Sequence, residues 1–339
     1  MRVALDAMGG DHAPSVNVEG AVETVNECED VDVILVGDEA LIQRELRNKR
    51  YSANRITIVH ASQVVEMHES PVVAIRKKKD SSIRVGIGLV KAGKADAFVS
   101  AGHSGVVMGT SLLMLGTAEV VDRPAIATLM PTLKDPFILL DVGATVDCNA
   151  QNLLQFALMG STYCRLVLGR PSPKVALLSI GEEDTKGNEV TKEAFKLIKN
   201  SKLNFMGNIE GKDLFTGMAD VVVCDGFIGN IALKISEGLA ETILKMLKRE
   251  ISSVSTGRIA YLMMKPAIRN FKKRTDYDEY GGAPLLGING TSIISHGRSS
   301  SKAIKNALRV AADLAAKRVH EAISVDIEND LQTRQESLA

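Results

Sequence analysis

Ala97-Phe98-Val99-Ser100-Ala101-Gly102-His103-Ser104-Gly105, continuing without Asp, Glu, Lys or Arg to Ala118, is the stretch on which the fold turns. A charge-free run of this length invites comparison with a membrane span. Gly102, His103, Ser104, Gly105, Gly109, Thr110, Ser111, Gly116 and Thr117 interrupt it, however. It reads instead as a short buried strand, a glycine loop and an apolar helix, with no true span remaining.

The same pattern recurs on both sides. Apolar, β-rich runs stand at Val3–Leu5, Val31–Val36, Ile56–Val59, Ala125–Leu129, Phe137–Leu140, Val175–Ile180, Leu203–Met206 and Val221–Val223. They are near-continuous rather than alternating, as strands covered on both faces are. Helical stretches lie between many of them, at 15–28, 38–48, 104–116, 149–168 and 189–199. Alternation of this kind predicts an α/β fold, a mainly parallel sheet with helices on both faces. Right-handed crossovers then gather ligand loops at the carboxyl ends of the strands. With no repeat and no long linker, residues 1–325 read as a single two-lobed domain, and 326–339 as a polar tail that frays.

Lys plus Arg and Asp plus Glu each number 41 in 339 residues, so the chain is formally neutral, which argues against a nucleic-acid binder. Cys28, Cys148, Cys164 and Cys224 form no C-x-x-C pair, favouring free thiols in a reducing, cytoplasmic setting. The six histidines show no metal-ligand spacing, so neither a metal nor a cofactor is expected. One segment breaks the neutrality. Nine basic residues lie between Lys245 and Arg274 against the single acid Glu250, around an apolar cluster Ile259, Ala260, Tyr261, Leu262, Met263 and Met264 that Pro266 closes. A basic, apolar-tipped helical hairpin at about 240–275 suits anionic lipid or an acidic partner, with Leu262, Met263, Lys265 and Arg269 as its docking residues. A subunit interface with a basic rim is the alternative.

Glycine-containing loops follow most of the strands: Asp6–Pro14, Ser100–Gly105, Asp141–Asp147, Gly181–Asn188, Asp225–Asn230, Tyr280–Gly287 and His296–Gly297. Glycine lets main-chain N–H groups approach a ligand, and a following helix N-terminus adds positive potential, which together suit phosphate or an oxyanion. One such loop is ordinarily just a turn, but several at one sheet edge make a site. Familiar alternatives fail. Gly86-Ile-Gly88 lacks the third glycine of a dinucleotide fingerprint, and no P-loop occurs. Ser104 is not in a G-x-S-x-G elbow. Nothing near Cys148 or Cys224 in sequence activates a thiol, so both read as core residues.

Together the segments DAMGGDHAP (6–14), ESPVVAIRKKKDSS (69–82), SAGHSG (100–105), RPAIA (123–127), LLDVGATVDC (139–148), IGEEDTKGNE (180–189), NFMGNIEG (204–211), DVVVCDGFIGNIALK (220–234), YGGAPLLG (280–287) and HGRSS (296–300) resemble the bacterial phosphate acyltransferases of the PlsX family. The resemblance implies transfer of a long-chain acyl group from acyl carrier protein to inorganic phosphate, giving acyl-phosphate for phosphatidic acid synthesis. Through its similarity to phosphotransacetylases it also implies an isocitrate- and isopropylmalate-dehydrogenase-like fold, a cleft between lobes and a homodimer. Peripheral membrane association and a downstream glycerol-3-phosphate acyltransferase partner complete the expectation. This chain departs from the family in His103-Ser104, where Asn-Thr is usual, and in Thr145, where Asn is usual.

Phosphate is already anionic at neutral pH, its second ionisation lying at a pKa of about 6 in esters. A thiolate with a parent pKa of about 8.5 leaves without a strong acid. What such a reaction needs is donors that hold anions, with no hydrolytic triad. Gly102, His103, Ser104 and Gly105 are the candidate phosphate or oxyanion cradle. Lys186 and Lys234 are expected to neutralise phosphate, Asn188 and Asn230 to orient it, and His12 with Asp11 to handle protons. A surface ammonium is the plain reading of Lys234, and a helix N-cap that of Asn230. Arg76, Lys77, Lys78 and Lys79 are candidates for docking the acidic carrier, or else a solvated helix face. An acetyl-coenzyme A phosphotransacetylase, a membrane-surface scaffold and a nicotinamide dehydrogenase are the competing readings.

Overall fold

The computed structural model describes residues 1–253, 263–266, 269, 271 and 281–338. Its strands are β1 (Arg2–Asp6), β2 (Asp32–Gly37), β3 (Ile56–His60), β4 (Ala97–Ser100), β5 (Ala125–Ile126), β6 (Thr128–Met130), β7 (Phe137–Leu140), β8 (Val175–Leu178), β9 (Phe205–Ile209), β10 (Val221–Val223), β11 (Ala283–Leu286) and β12 (Ser292–Ile294). The helices are α1 (Ser15–Glu27), α2 (Glu39–Leu46), α3 (Pro71–Lys77), α4 (Ser82–Lys91), α5 (Ser104–Leu115), α6 (Ala150–Val167), α7 (Glu189–Lys199), α8 (Gly226–Ser253), α9 (Ser301–Ala316) and α10 (Val319–Leu338).

Two sheets result, one per lobe. The first runs β3-β2-β1-β4-β12-β11-β5 and the second β6-β7-β10-β8-β9. Pairing is parallel except where β11 meets β12 and β5, and where β6 meets β7. The Val, Ile and Leu runs are buried on both faces, with Leu5, Phe98, Phe137 and Leu139 fully enclosed, as parallel strands sandwiched by helices require. Side-chain oxygens cap the helices that leave the strand ends: Asp38 for α2, Ser81 for α4, Asn188 for α7 and Ser300 for α9. Asn149 and Asn152 close a reciprocal capping box on α6.

The register brings the functional edge into line. Leu5 stands beside Leu35 and Val99, and Val99 beside Ile293, so the chain leaves β1, β4 and β12 at one level. In the second lobe Val223 is level with Leu140 and Leu177, so β7, β10 and β8 also end together.

Some expectations are corrected. Ala125–Leu129 is not one strand: it divides at Ala127, β5 joining the first sheet and β6 the second. An apolar run cannot signal this, since both halves are buried. The expected strand Val175–Ile180 stops at Leu178, and Leu203–Met206 starts only at Phe205. The segment beyond Val325 is not frayed but continues α10, where Ile327 and Asp330 are buried. The side chain of Asp326 accepts from Arg165 at 2.6 Å and from Thr162 of α6. Of the basic hairpin, Met263, Lys265 and Arg269 are helical and exposed, as is Pro266. Leu262, with Arg258, Ile259, Ala260, Tyr261 and the run Lys272 to Arg274, lies outside the described residues. Among the described residues no helix is long and apolar enough to cross a membrane.

Candidate active site

Three loops of the first lobe interlock at the carboxyl ends of β1, β4 and β12. Asp6 is fully buried, and its carboxylate accepts from the Ser100 hydroxyl at 2.7 Å and from the Met8 amide at 3.1 Å. Burial raises its pKa above the usual carboxylate value against the pull of these bonds. Ser100 in turn accepts from the Gly102 amide at 3.0 Å. Gly9 is packed so tightly that a Cβ there would stand 2.4 Å from the Asp6 carboxylate and 2.7 Å from the Gly102 nitrogen. The Asp11 amide donates to the Gly297 carbonyl at 2.7 Å, and the Ser295 amide to Ser100 at 2.8 Å. Buried Asn17 donates to the carbonyls of Ala7 and Gly9 at 3.1 and 2.8 Å, fastening the first loop from below.

The second lobe repeats the device. Asp141, buried at the end of β7, accepts from the amides of Ile126, Gly143, Ala144 and Thr145 at 2.6–3.1 Å. Desolvation raises its pKa as well. Gly143 lies against Asn230, 3.8 Å from where its own Cβ would be. Asp225 caps α8, accepting from Phe227 and Ile228 at 3.0 and 2.9 Å.

His296, on the loop after β12, has its pKa lowered first by burial and then by the charge of Lys234 on α8, with Arg298 adding to the effect and Glu237 and Asp11 opposing it. Glu241 is held below the usual carboxylate range by its ion pair with Lys245, with a smaller contribution from Arg298. Loops of one lobe and a helix of the other thus share one electrostatic neighbourhood. Main-chain donors at a helix N-terminus, a guanidinium and ammonium groups can together bind an anion there.

The candidate residues fall into place unevenly. His103 is the N-cap position of α5 without a side-chain capping bond. Ser104 and Gly105 open that helix, where no preceding turn pairs their amides. The Gly102 amide is not part of an open cradle, being committed to Ser100. Asn230 and Lys234 stand one turn apart on α8, both exposed. The N-cap role proposed for Asn230 belongs to Asp225, and Lys234 is ion-paired with Glu237 at 2.9 Å. Asn188, by contrast, is an N-cap, accepting from Thr191 at 2.8 Å. Lys186 is exposed on the same loop after β8, among Glu182, Glu183 and Asp184. His12 is exposed beside Asp11. Arg76, Lys77 and Lys79 are exposed, but Lys78 is ion-paired with Glu69 and donates to the Val64 carbonyl at 2.5 Å. Lys78 is therefore tied into a local turn. Burial pushes the Cys148 thiol up to about 12 and that of Cys224 well above its ordinary value, so neither is an activated nucleophile.

Sequence reasoning did not single out Asp6, Asp141, His296 or Arg298 as site residues. The HGRSS segment was visible as a loop. That it lies beside β4 depends on the three-residue strand β12, whose pairing partner is nearly two hundred positions away.

Two mainly parallel sheets whose strands end in glycine loops define a fold class shared by solved structures. A phosphotransacetylase from Streptococcus pyogenes superposes with a TM-score of 0.63 at 19% identity, covering 94% of both chains. The EutD phosphotransacetylase from Staphylococcus aureus gives 0.59 at 19% identity, covering 93% of this chain and 94% of its own. A 4-hydroxythreonine-4-phosphate dehydrogenase from Klebsiella pneumoniae gives 0.54 at 15%, covering 93% and 97%. At these identities the likeness establishes the fold. Residues 1–322 match the family described as Fatty acid synthesis protein. The chain is 57% identical to a phosphate acyltransferase from Thermodesulfovibrio yellowstonii over 99% of its own length and 97% of the relative's. It is 52% identical to one from Dictyoglomus turgidum, covering 95% and 96%. The chain belongs to this family of phosphate acyltransferases, and it is an acyltransferase enzyme.

Proposed function

We propose that the enzyme transfers a long-chain fatty acyl group from the thioester of acyl carrier protein to inorganic phosphate, releasing acyl-phosphate that a glycerol-3-phosphate acyltransferase consumes on the way to phosphatidic acid. The observation that carries this reading is the 57% identity to a phosphate acyltransferase over nearly the whole chain, beside the interlocked glycine loops at the ends of β1 and β4. Phosphate sits between the amides of Ser104 and Gly105 and the side chains of Asn230, Lys234 and Lys186. It attacks the thioester carbonyl directly, the carbon–oxygen bond forming as the carbon–sulfur bond breaks and the thiolate leaves.

No side chain needs to be acylated, in keeping with the raised pKa values of Cys148 and Cys224. Each well-placed donor to the tetrahedral oxyanion contributes about 3–4 kcal/mol, and alignment of the two reactants supplies much of the rest. Arg76 and Lys77 are candidates to meet the acidic carrier, and Met263, Lys265 and Arg269 to meet a membrane surface from the cytoplasmic side. A homodimer is supported by α8, where Phe227, Ile231, Ile235, Leu239, Ile243 and Leu247 recur every fourth residue at 41–63% exposure. Water rarely faces an apolar row of that length.

The test is incubation of palmitoyl-[acyl carrier protein] with the enzyme, with and without phosphate. Phosphate-dependent release of carrier thiol with matching acyl-phosphate supports the proposal. Thiol release independent of phosphate, or a stably acylated enzyme, overturns it.

A further inference from the structure

Glycine loops form the candidate site, and glycine has no side chain with which to shield its own backbone from water. At two of them the cover comes from the segment between β3 and α4, which contains α3. A Cβ built on Gly105 would stand 3.2 Å from the Cγ of Pro71, the first residue of α3. One built on Gly297 would stand 3.6 Å from the Cε of Met67. Pro71 and Met67 thus take the room that side chains at 105 and 297 would occupy. Gly105 lies in the first turn of α5, within the candidate phosphate cradle. The Gly297 carbonyl holds the loop after β1 by accepting from the Asp11 amide at 2.7 Å.

Polar contacts keep this segment in place. At its base the Gln63 amide donates to the Asp80 carbonyl at 3.1 Å, and the Asp80 carboxylate accepts from the Ser62 hydroxyl at 2.6 Å. At its tip the Lys78 ammonium donates to the Val64 carbonyl at 2.5 Å and pairs with Glu69. The Glu69 carboxylate also accepts from the Glu66 amide at 2.7 Å. Lys78 and Glu69 therefore close residues 64–69 into a ring that carries Met67. Their side chains are only 26% and 22% exposed, so solvent screens the pair less than an open surface pair. Val65 in the same ring is buried, whereas Met67 is 52% exposed and held out over Gly297.

Water that reaches a thioester carbonyl competes with phosphate. Its oxygen bonds to the carbonyl carbon, the carbon–sulfur bond breaks, and one water proton passes to the departing thiolate, giving fatty acid and free thiol. A site that excludes water suppresses this side reaction. We propose that Met67 is a specificity-determining residue, the apolar wall that favours phosphate over water, and that Lys78 and Glu69 are the positioning residues that hold it. The inference rests on the acyltransfer reading. Two of the three Lys78 donors are engaged within the ring, which sets this lysine apart from its exposed neighbours Arg76 and Lys77.

The experiment uses palmitoyl-[acyl carrier protein] and divides the rate of thiol release without phosphate by the rate with phosphate. Loss of folded enzyme lowers both rates alike, so a merely structural role does not move this quotient. Met67→Ala raises it at least tenfold, and Met67→Leu, which keeps the apolar bulk, returns it to the wild-type value. Lys78→Ala and Glu69→Gln raise it as well, and the double variant goes no further than the larger single effect, because both open one ring. A quotient unchanged in Met67→Ala, or unchanged in Lys78→Ala while the KM for the carrier rises, overturns the proposal. Hydrogen exchange in the peptides 100–107 and 295–300 separates this failure from that of the acyltransfer reading. If the wild type releases no thiol in response to phosphate, that reading fails. Faster exchange in Met67→Ala and Lys78→Ala then leaves the wall standing, and exchange at the wild-type rate removes it too.

Discussion

Gly229 lies against Asp141 so closely that a Cβ built on it would stand 1.8 Å from the Asp141 carbonyl oxygen. The same atom would be 2.9 Å from the Cys224 sulfur. This contact lets α8 approach the end of β7 and so sets Asn230 against Gly143. Gly229→Ala must push helix and loop apart. Overpacking of this kind costs about 1–3 kcal/mol, and more against rigid backbone. Urea denaturation should show that loss, together with a fall in kcat/KM.

Asn230→Ala, Lys234→Ala and Lys186→Ala act on exposed side chains. Each is expected to lower kcat/KM at least tenfold while the denaturation midpoint stays near that of the wild type. Wild-type kinetics in any of them removes that residue from the phosphate site.

Asn188→Ala should behave differently, because its Oδ1 already caps α7. Loss of the cap costs about 1 kcal/mol of stability. Asn188→Asp should restore that stability, and if the residue also orients phosphate it should not restore kcat/KM.

Ser100→Ala removes the hydroxyl that donates to buried Asp6 and accepts from Gly102. An unsatisfied buried group costs about 1–3 kcal/mol, so a destabilisation of that order is expected in denaturant. The pH dependence at Asp6 has a definite sign. Its folded pKa is raised, so its contribution to stability is fully present below the unfolded carboxylate pKa and is lost as pH rises through the folded value.

His296 has the opposite sense. Its folded pKa lies below the ordinary value of 6.5, so the stability it contributes is present above 6.5 and is lost as pH falls from there through the folded pKa. Protonation also removes the Nδ1 lone pair that accepts from the Arg298 amide at 3.1 Å. Denaturation curves for His296→Gln and the wild type, taken from neutral pH downward, should converge as the medium becomes acidic. Parallel curves would show that His296 does not titrate in this window.

Much of the architecture was legible because parallel strands announce themselves locally. The runs at Val3–Leu5, Val31–Val36 and Phe137–Leu140 each coincide with a buried strand, and the five helical stretches first read all form helices. Burial on both faces demands continuous apolar runs, and that demand is written residue by residue. The same holds for the glycine loops, since a close main-chain approach excludes a Cβ wherever it occurs. The resemblance added function and the names of candidate side chains.

Other features belong to contacts between distant segments. The break at Ala127, which hands the chain from one sheet to the other, leaves no local mark because both halves are equally apolar. Strands β11 and β12 are short and owe their existence to partners in β4 and β5. Of its apolar residues the final helix buries only Val319, Ile323 and Ile327, among many polar ones, and the α6 side chains Thr162 and Arg165 meet its Asp326. Sequence by itself determined which segments become strands, turns and helices, because those choices depend on the burial and backbone freedom of neighbouring residues. Tertiary structure alone decided that Lys78 is tied to Glu69, that Asp225 and not Asn230 caps α8, and that Asn230 lies against Gly143. Hydrogen bonds and charge pairs act over a few ångströms in space, and no spacing along the chain encodes that distance.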